Sequence, residues 1–156
     1  MNSDFSVAVH AMVYLSHSGH TLSSEALAKN ICTNPARVRK VMAKLGKAGH
    51  ISTKEGLEGG YQLARPAGEI TLDQISRALD VKFVNTGWKT GDPAKTCLIA
   101  SGMADIMDEL YAHLDALCKQ RLADITVAAI ENRIFAAHPE GIPPCVPPGE
   151  NWTIFR

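Results

Sequence analysis

Five cations, Arg37, Arg39, Lys40, Lys44 and Lys47, crowd one stretch of chain, with no Asp or Glu anywhere from Asn34 to Gly49. Cations at that density suit a polyanion: they meet a phosphate backbone through charge, and the paired N–H groups of an arginine can read a guanine edge. A second chemistry is that of thiols. Cys97 lies close to Lys95 and directly after Thr96, a residue able to cap a helix starting there. Helix-terminal amides and a neighbouring cation favour the thiolate, the form that reacts with oxidants and electrophiles. The cysteines Cys32, Cys97, Cys118 and Cys145 contain no CxxC pair, so neither a disulfide framework nor a zinc ribbon is signalled. No nucleophile–base arrangement, phosphate-cradling loop or zinc spacing stands out, and an enzyme is not expected.

Those residues need elements to hold them. Phe5, Ala8, Val9, Met12 and Val13 recur at helical spacing and predict a first helix over about Asp4 to His17. Ser23 can cap a second, short helix ending near Ile31, with Leu22 stapled on Leu27. Asn34 caps a third, and Pro35 sits at its first position, where a missing N–H costs nothing. Val38, Val41, Met42 and Leu45 give that helix an inward face, which leaves the five cations outside. Ile51 to Lys54 and Tyr61 to Ala64 read as two antiparallel strands around Gly56, Gly59 and Gly60, a wing after a helix-turn-helix. Thr71 with Gln74 forms a capping box for a fourth helix to about Leu79, stapled by Ile70 on Ile75.

This order points to duplex DNA. Side chains near the start of a helix in the major groove reach base edges, and later ones reach phosphates. Arg37 is the leading base contact, with Arg39 and Lys40 close by, and Lys44 and Lys47 face phosphate or solvent. Ser24, Asn34 and Pro35 stand at helix starts that approach the backbone, while Lys54, Gly59 and Gly60 bring the wing to it. A merely solvated cationic face and an ordinary hairpin are the plainer accounts. His50, between the third helix and the wing, either touches a phosphate or simply stands in water. Cys32, between two helices, reads as core or spacer.

The rear of the chain reads differently. Residues 81–96 contain Gly87, Gly91 and Pro93 without sustained periodicity and form a linker or sensor loop. From about Cys97 onward Ile99, Met103, Ile106, Leu110, Leu114 and Leu117 follow three- and four-residue steps, predicting a long helix with one apolar stripe. Packing on its copy in a second chain gives a homodimer; packing on its own front domain is the alternative. A last helix, about Ala123 to Phe135, is expected to cover this stem. The tail from residue 138 is rich in Pro and Gly and is expected to be flexible, with Trp152 and Phe155 able to dock.

In these stretches the chain resembles the Rrf-two-type family of bacterial regulators, relatives of the iron–sulfur cluster regulator and the nitric-oxide-sensitive repressor. The resemblance rests on Ala11-Met-Val-Tyr-Leu15, Ser23 to Ala28, Asn34 to Gly49, Gly59-Gly-Tyr-Gln-Leu-Ala-Arg-Pro66 and Glu69 to Ile75, and covers nearly everything to residue 135. It implies a homodimeric winged repressor whose long helix forms the dimer stem. Two departures stand out: Glu55 occupies a wing position where relatives commonly carry arginine, and Arg39 a position often acidic in them, so the operator should differ. Cluster-binding relatives carry three cysteines about six residues apart before the stem, whereas this chain has Gly91, Cys97 and Met103 at that spacing. An iron–sulfur cofactor is therefore not expected.

Composition sets the frame. The chain has 156 residues, 46% of them hydrophobic, enough for one compact domain with an appended element. Its net charge is zero, yet residues 1–65 hold eight Lys/Arg against four Asp/Glu and residues 66–156 hold eight against twelve, a basic front joined to an acidic rear. No leader-like start or membrane-length apolar run is seen, so a soluble cytoplasmic chain is expected. The expected class is mainly α: a winged helix-turn-helix over residues 1–80, the linker over 81–96, dimerisation helices over 97–137 and the tail over 138–156. Three functional readings follow: a DNA-binding repressor with a thiol switch at Cys97, the same binder with another signal or none, and a winged protein-interaction adaptor. Cys97 and Cys118 are about 30 Å apart along one helix and cannot bridge within a chain. A partner's thiol or Cys145 is the alternative.

Overall fold

The computed structural model describes residues 3–137, so the expectations for Cys145, Trp152 and Phe155 lie outside the described residues. Helices α1 (Ser3–Ser18), α2 (Ser24–Ile31) and α3 (Pro35–Lys47) are followed by β1 (Ile51–Lys54) and β2 (Gly60–Leu63). The two strands pair antiparallel, Ile51 opposite Leu63 and Lys54 opposite Gly60. A 3-10 turn (Ala67–Glu69) leads into α4 (Leu72–Ala78), then α5 (Leu98–Ala123) and α6 (Val127–Ala136).

The helix starts are made by side chains. Ser23 accepts a hydrogen bond from the Ala26 N–H at 3.1 Å and Asn34 one from the Arg37 N–H at 2.8 Å, with Pro35 opening α3. Thr71 and Gln74 complete both halves of their capping box. Each such cap contributes about 1 kcal/mol. Both staples close inside the protein, since Leu22, Leu27, Ile70 and Ile75 are all buried. Around them Met12, Val38, Val41, Met42 and Leu45 join α1 and α3 in one core. Full burial of a large aliphatic side chain stabilises by roughly 1.5–3 kcal/mol, so this face holds α3 firmly and leaves its other face to solvent.

Helix α6 does not cover the stem as expected from the sequence. It packs against α1 and the 3-10 turn, because Val127 is fully buried in the front core and the backbone of Ile125 and Val127 is hydrogen bonded there. The Leu72 N–H donates to Ile125 O at 2.8 Å, and the Val127 N–H to Ile70 O at 2.9 Å. Ser16 Oγ donates to Glu131, and the His17 ring lies 4.7 Å from that of Phe135. The front core is thus closed by a segment from the far end of the described chain.

Between α4 and α5 the linker is tied to α5 near its start, near its end and, between them, through an ion pair of Lys89 with Asp108. Near its start, Phe83 meets Phe5 edge-on at 5.1 Å, and Asp115 of α5 accepts from the N–H groups of Phe83 at 2.6 Å and Val84 at 3.2 Å. Near its end, the Asp92 N–H donates to Ala100 O at 2.9 Å. Gly91 has φ +74°, and a Cβ there would fall 2.0 Å from the same carbonyl oxygen, so the loop can approach the helix only through glycine.

Candidate nucleic-acid interface and thiol site

The buried row of α3 fixes which side chains are presented. Arg39, Lys40, Lys44 and Lys47 are exposed, and Arg37 is half-buried. The wing is fastened to the chain just before α2: Leu22 and Tyr61 exchange backbone hydrogen bonds at 3.0 and 2.8 Å. Gly60 permits this contact, since a Cβ there would lie 2.3 Å from Leu22 O. At the wing, Lys54, Glu55, Leu57 and Glu58 all stand in solvent, Leu57 wholly so. Two carboxylates at the tip repel phosphate, which leaves Lys54 as the cation among these four.

The two arginines near the start of α3 are engaged, a feature with no local signal in the sequence. Arg37 Nε and Nη2 contact Asp4 Oδ1 at 2.9 and 2.8 Å, and Nη2 also donates to Ser3 Oγ. Arg39 uses Nη1 alone, donating to Ser24 Oγ at 3.1 Å and Glu25 Oε1 at 3.2 Å. Ser24 is buried with its hydroxyl committed to Glu25 and Arg39, while Asn34 gives its side-chain oxygen to the cap. His50 corrects its sequence reading. It is buried, with Nδ1 3.2 Å from Arg65 Nη2, because Leu45 O takes its N–H and holds it under the wing. Burial first, and the Arg65 charge second, push its pKa down.

Cys97 is exposed and is itself the residue before the first turn of α5, where Thr96 was expected to cap. The shift of one residue sets its thiol at the helix start, where the backbone amides of Ala100 first and Ile99 second lower its pKa, although no side-chain hydrogen bond caps the helix there. Cys32 is not core, and stands as a spacer between α2 and α3. It is exposed at the end of α2 with φ +58°, where its N–H closes the helix on Lys29 O. Along α5, Ile99, Met103, Ile106, Leu110, Leu114 and Leu117 are between 37% and 72% exposed, so the apolar stripe does not pack on the front core.

A family profile described as Rrf2, iron-dependent transcriptional regulator, matches residues 1–133. The HTH-type transcriptional regulator YwnA of Bacillus subtilis is 27% identical over 135 residues, 86% of this chain and 99% of that protein. A transcriptional regulator from Lactobacillus plantarum superposes with TM-score 0.75 at 26% identity, over 90% of this chain and 98% of that one. IscR from T. potens shares the fold with TM-score 0.63 at 21% identity, over 86% and 88% of the two chains. No helix among the described residues is long and apolar enough to cross a membrane.

The profile's description names iron, and the residues around Cys97 do not fit a cluster held by three thiolates. Gly91 stands where a preceding cysteine would, and its contact with Ala100 O leaves no room for any side chain. Met103 stands at the following position. Among the described residues no three His, Cys, Asp or Glu gather as a metal site.

Proposed function

The chain belongs to the Rrf2 family of transcriptional regulators, and from that premise we propose that it is a cytoplasmic homodimeric repressor whose grip on DNA is set by the oxidation state of Cys97. The observation that carries the reading is α3: one face is wholly buried, and the other is exposed, cationic and free of acidic residues. In the major groove, Arg37, Arg39 and Lys40 reach base edges near the helix start, and Lys44 meets phosphate. Ser24, Asn34 and Pro35 bring two helix N-termini toward the backbone, and Lys54 with Gly59 and Gly60 sets the wing beside it. The stripe of α5 pairs with its copy, so two recognition helices address half-sites about one helical turn apart. A dimer seated on its operator excludes other proteins from that stretch of DNA.

The signal is read at a thiol rather than at a cluster. The Cys97 thiolate attacks one oxygen of a hydroperoxide, the O–O bond breaks, and the leaving oxygen takes a proton and departs as water or alcohol. Sulfur is oxidised by two electrons to sulfenic acid. The new polar group sits at the first turn of α5, beside the loop hydrogen-bonded to Ala100, and shifts the stem that spaces the two recognition helices.

The test is affinity for duplex DNA from the chain's own upstream region, at fixed salt, reduced and after stoichiometric hydroperoxide. We expect oxidation to weaken binding about tenfold or more, equivalent to 1.4 kcal/mol, and Cys97→Ser to bind equally in both conditions. Equal binding by the unaltered chain would remove the switch and leave a DNA regulator with another signal. No binding in either state would favour the adaptor.

A further inference from the structure

The grip on Arg37 has a consequence for base reading. A guanidinium reads guanine with two N–H groups that point the same way. In Arg37 the Nε–Nη2 edge is taken by Asp4, and Nη2 gives a further bond to Ser3. Only Nη1 remains uncommitted by these contacts, and it cannot form the paired bond unless Nη2 is released. Arg39, held through Nη1 alone, keeps its Nε–Nη2 edge for a partner. Asp4 cannot follow Arg37 into a groove, because the next residue, Phe5, is packed against Phe83 and half-buried against the core. The pair must therefore separate for Arg37 to read a base.

We propose that Asp4, assisted by Ser3, is a specificity-determining residue: it competes with DNA for the Arg37 guanidinium and so sets how strongly guanine is preferred opposite Arg37. At sites without that guanine, Arg37 stays on α1 and binding proceeds through Arg39 and the lysines. At sites with it, the gain from the paired bond is reduced by the loss of the Asp4 contact. Both partners are about one-third exposed, 33% for Arg37 and 39% for Asp4, so the pair is of the weak, solvent-screened kind. The inference rests on the reading of α3 as the groove helix.

The experiment is a double-mutant cycle on DNA affinity, with Asp4→Asn, Arg37→Ala and the combination, each measured on duplexes selected from a random pool and on single-base variants of them. Asp4→Asn should raise affinity about two- to fivefold, the range a part-exposed ion pair implies. The gain should concentrate at one guanine position and vanish in the Arg37→Ala background. Ser3→Ala should act in the same direction with a smaller gain. An equal gain in both backgrounds would mean simple repulsion between Asp4 and phosphate, and no gain or a loss would mean that Asp4 orients Arg37 for DNA; either overturns the proposal. Lys40→Ala with Lys44→Ala separates the two levels. Loss of affinity with a shallower salt dependence supports the groove reading whatever Asp4 does, and unchanged affinity overturns that reading and the inference with it.

Discussion

Helices α3 and α5 carry apolar residues at the same three- and four-residue steps, yet they end in opposite situations. Val38, Val41, Met42 and Leu45 of α3 are essentially inaccessible, whereas the equivalent row of α5 stands between one-third and three-quarters open. The difference lies in what surrounds them. Helix α3 is short and enters a core already walled by α1 and α4, and its polar face is cationic throughout. Helix α5 runs for 26 residues, touches the front core mainly through α4 and carries the linker along part of its length, while its apolar row stays uncovered among the described residues. Periodicity says that a face seeks burial; it does not say whether the cover comes from the same chain or from another. A buried face with exposed cations suits a rigid reading element, and an open apolar face suits assembly.

The sharpest way to break this contrast is Ile106→Lys with Leu110→Lys. Light scattering should show a dimer becoming a monomer with its helical content kept, and operator affinity should fall on the order of 10²-fold or more as two linked half-site contacts become one. A variant that stays dimeric would show that α5 is covered in some other way. On α3, Met42→Ala should cost about 2–5 kcal/mol in chemical denaturation, because a fully buried side chain leaves a cavity that its neighbours fill only in part. A cost under about 1 kcal/mol would mean that the front core is looser than its burial implies.

The smallest effect is expected where the two regions join. The Lys119 hydrogen bond, aided by the Val84 and Phe83 N–H groups, lowers the pKa of Asp115 against the opposing effect of its burial. A carboxylate held below its unfolded value stabilises the fold above that value, about 3.9, and the contribution is lost as pH falls through the folded one. Thermal stability should therefore decline on acidification below about pH 5, and Asp115→Asn should be less stable at neutral pH and show a shallower decline. An identical pH profile in the two proteins would leave the joint without an electrostatic part.

Local pattern carried most of the front half. The caps at Ser23, Asn34 and Thr71 and the staples at Leu22 and Ile70 are short-range features, and each forms where its spacing predicts. The second strand begins at Gly60, one residue early, because Gly60 pairs with Lys54 at the end of β1. Contacts between distant residues were not legible. Asp4 and Arg37 are separated by 33 positions and Asp115 and Phe83 by 32, and no rule of spacing joins them. The same limit misplaced α6, whose apolar residues read equally well as a cover for the stem or for the front core. His50 looked like a surface residue because its burial depends on the turn from α3 into the wing. The thiol was visible as a helix-start residue, although the helix opens one position later than the sequence suggests.

The linker's backbone fixed points at its two ends, with the exposed Lys89–Asp108 ion pair between them, also separate what can change from what cannot. Asp115 holds residues 83 and 84 against the middle of α5, and Ala100 holds residue 92 against its first turn. The residues between them close a loop whose ends are both anchored to the same rigid rod. Lengthening such a loop costs little, since closure entropy grows only slowly with length, and it changes neither the position of the rod nor that of the front core. A change of length or sequence in this loop is therefore taken up along α5, upstream of Cys97, which lies outside it.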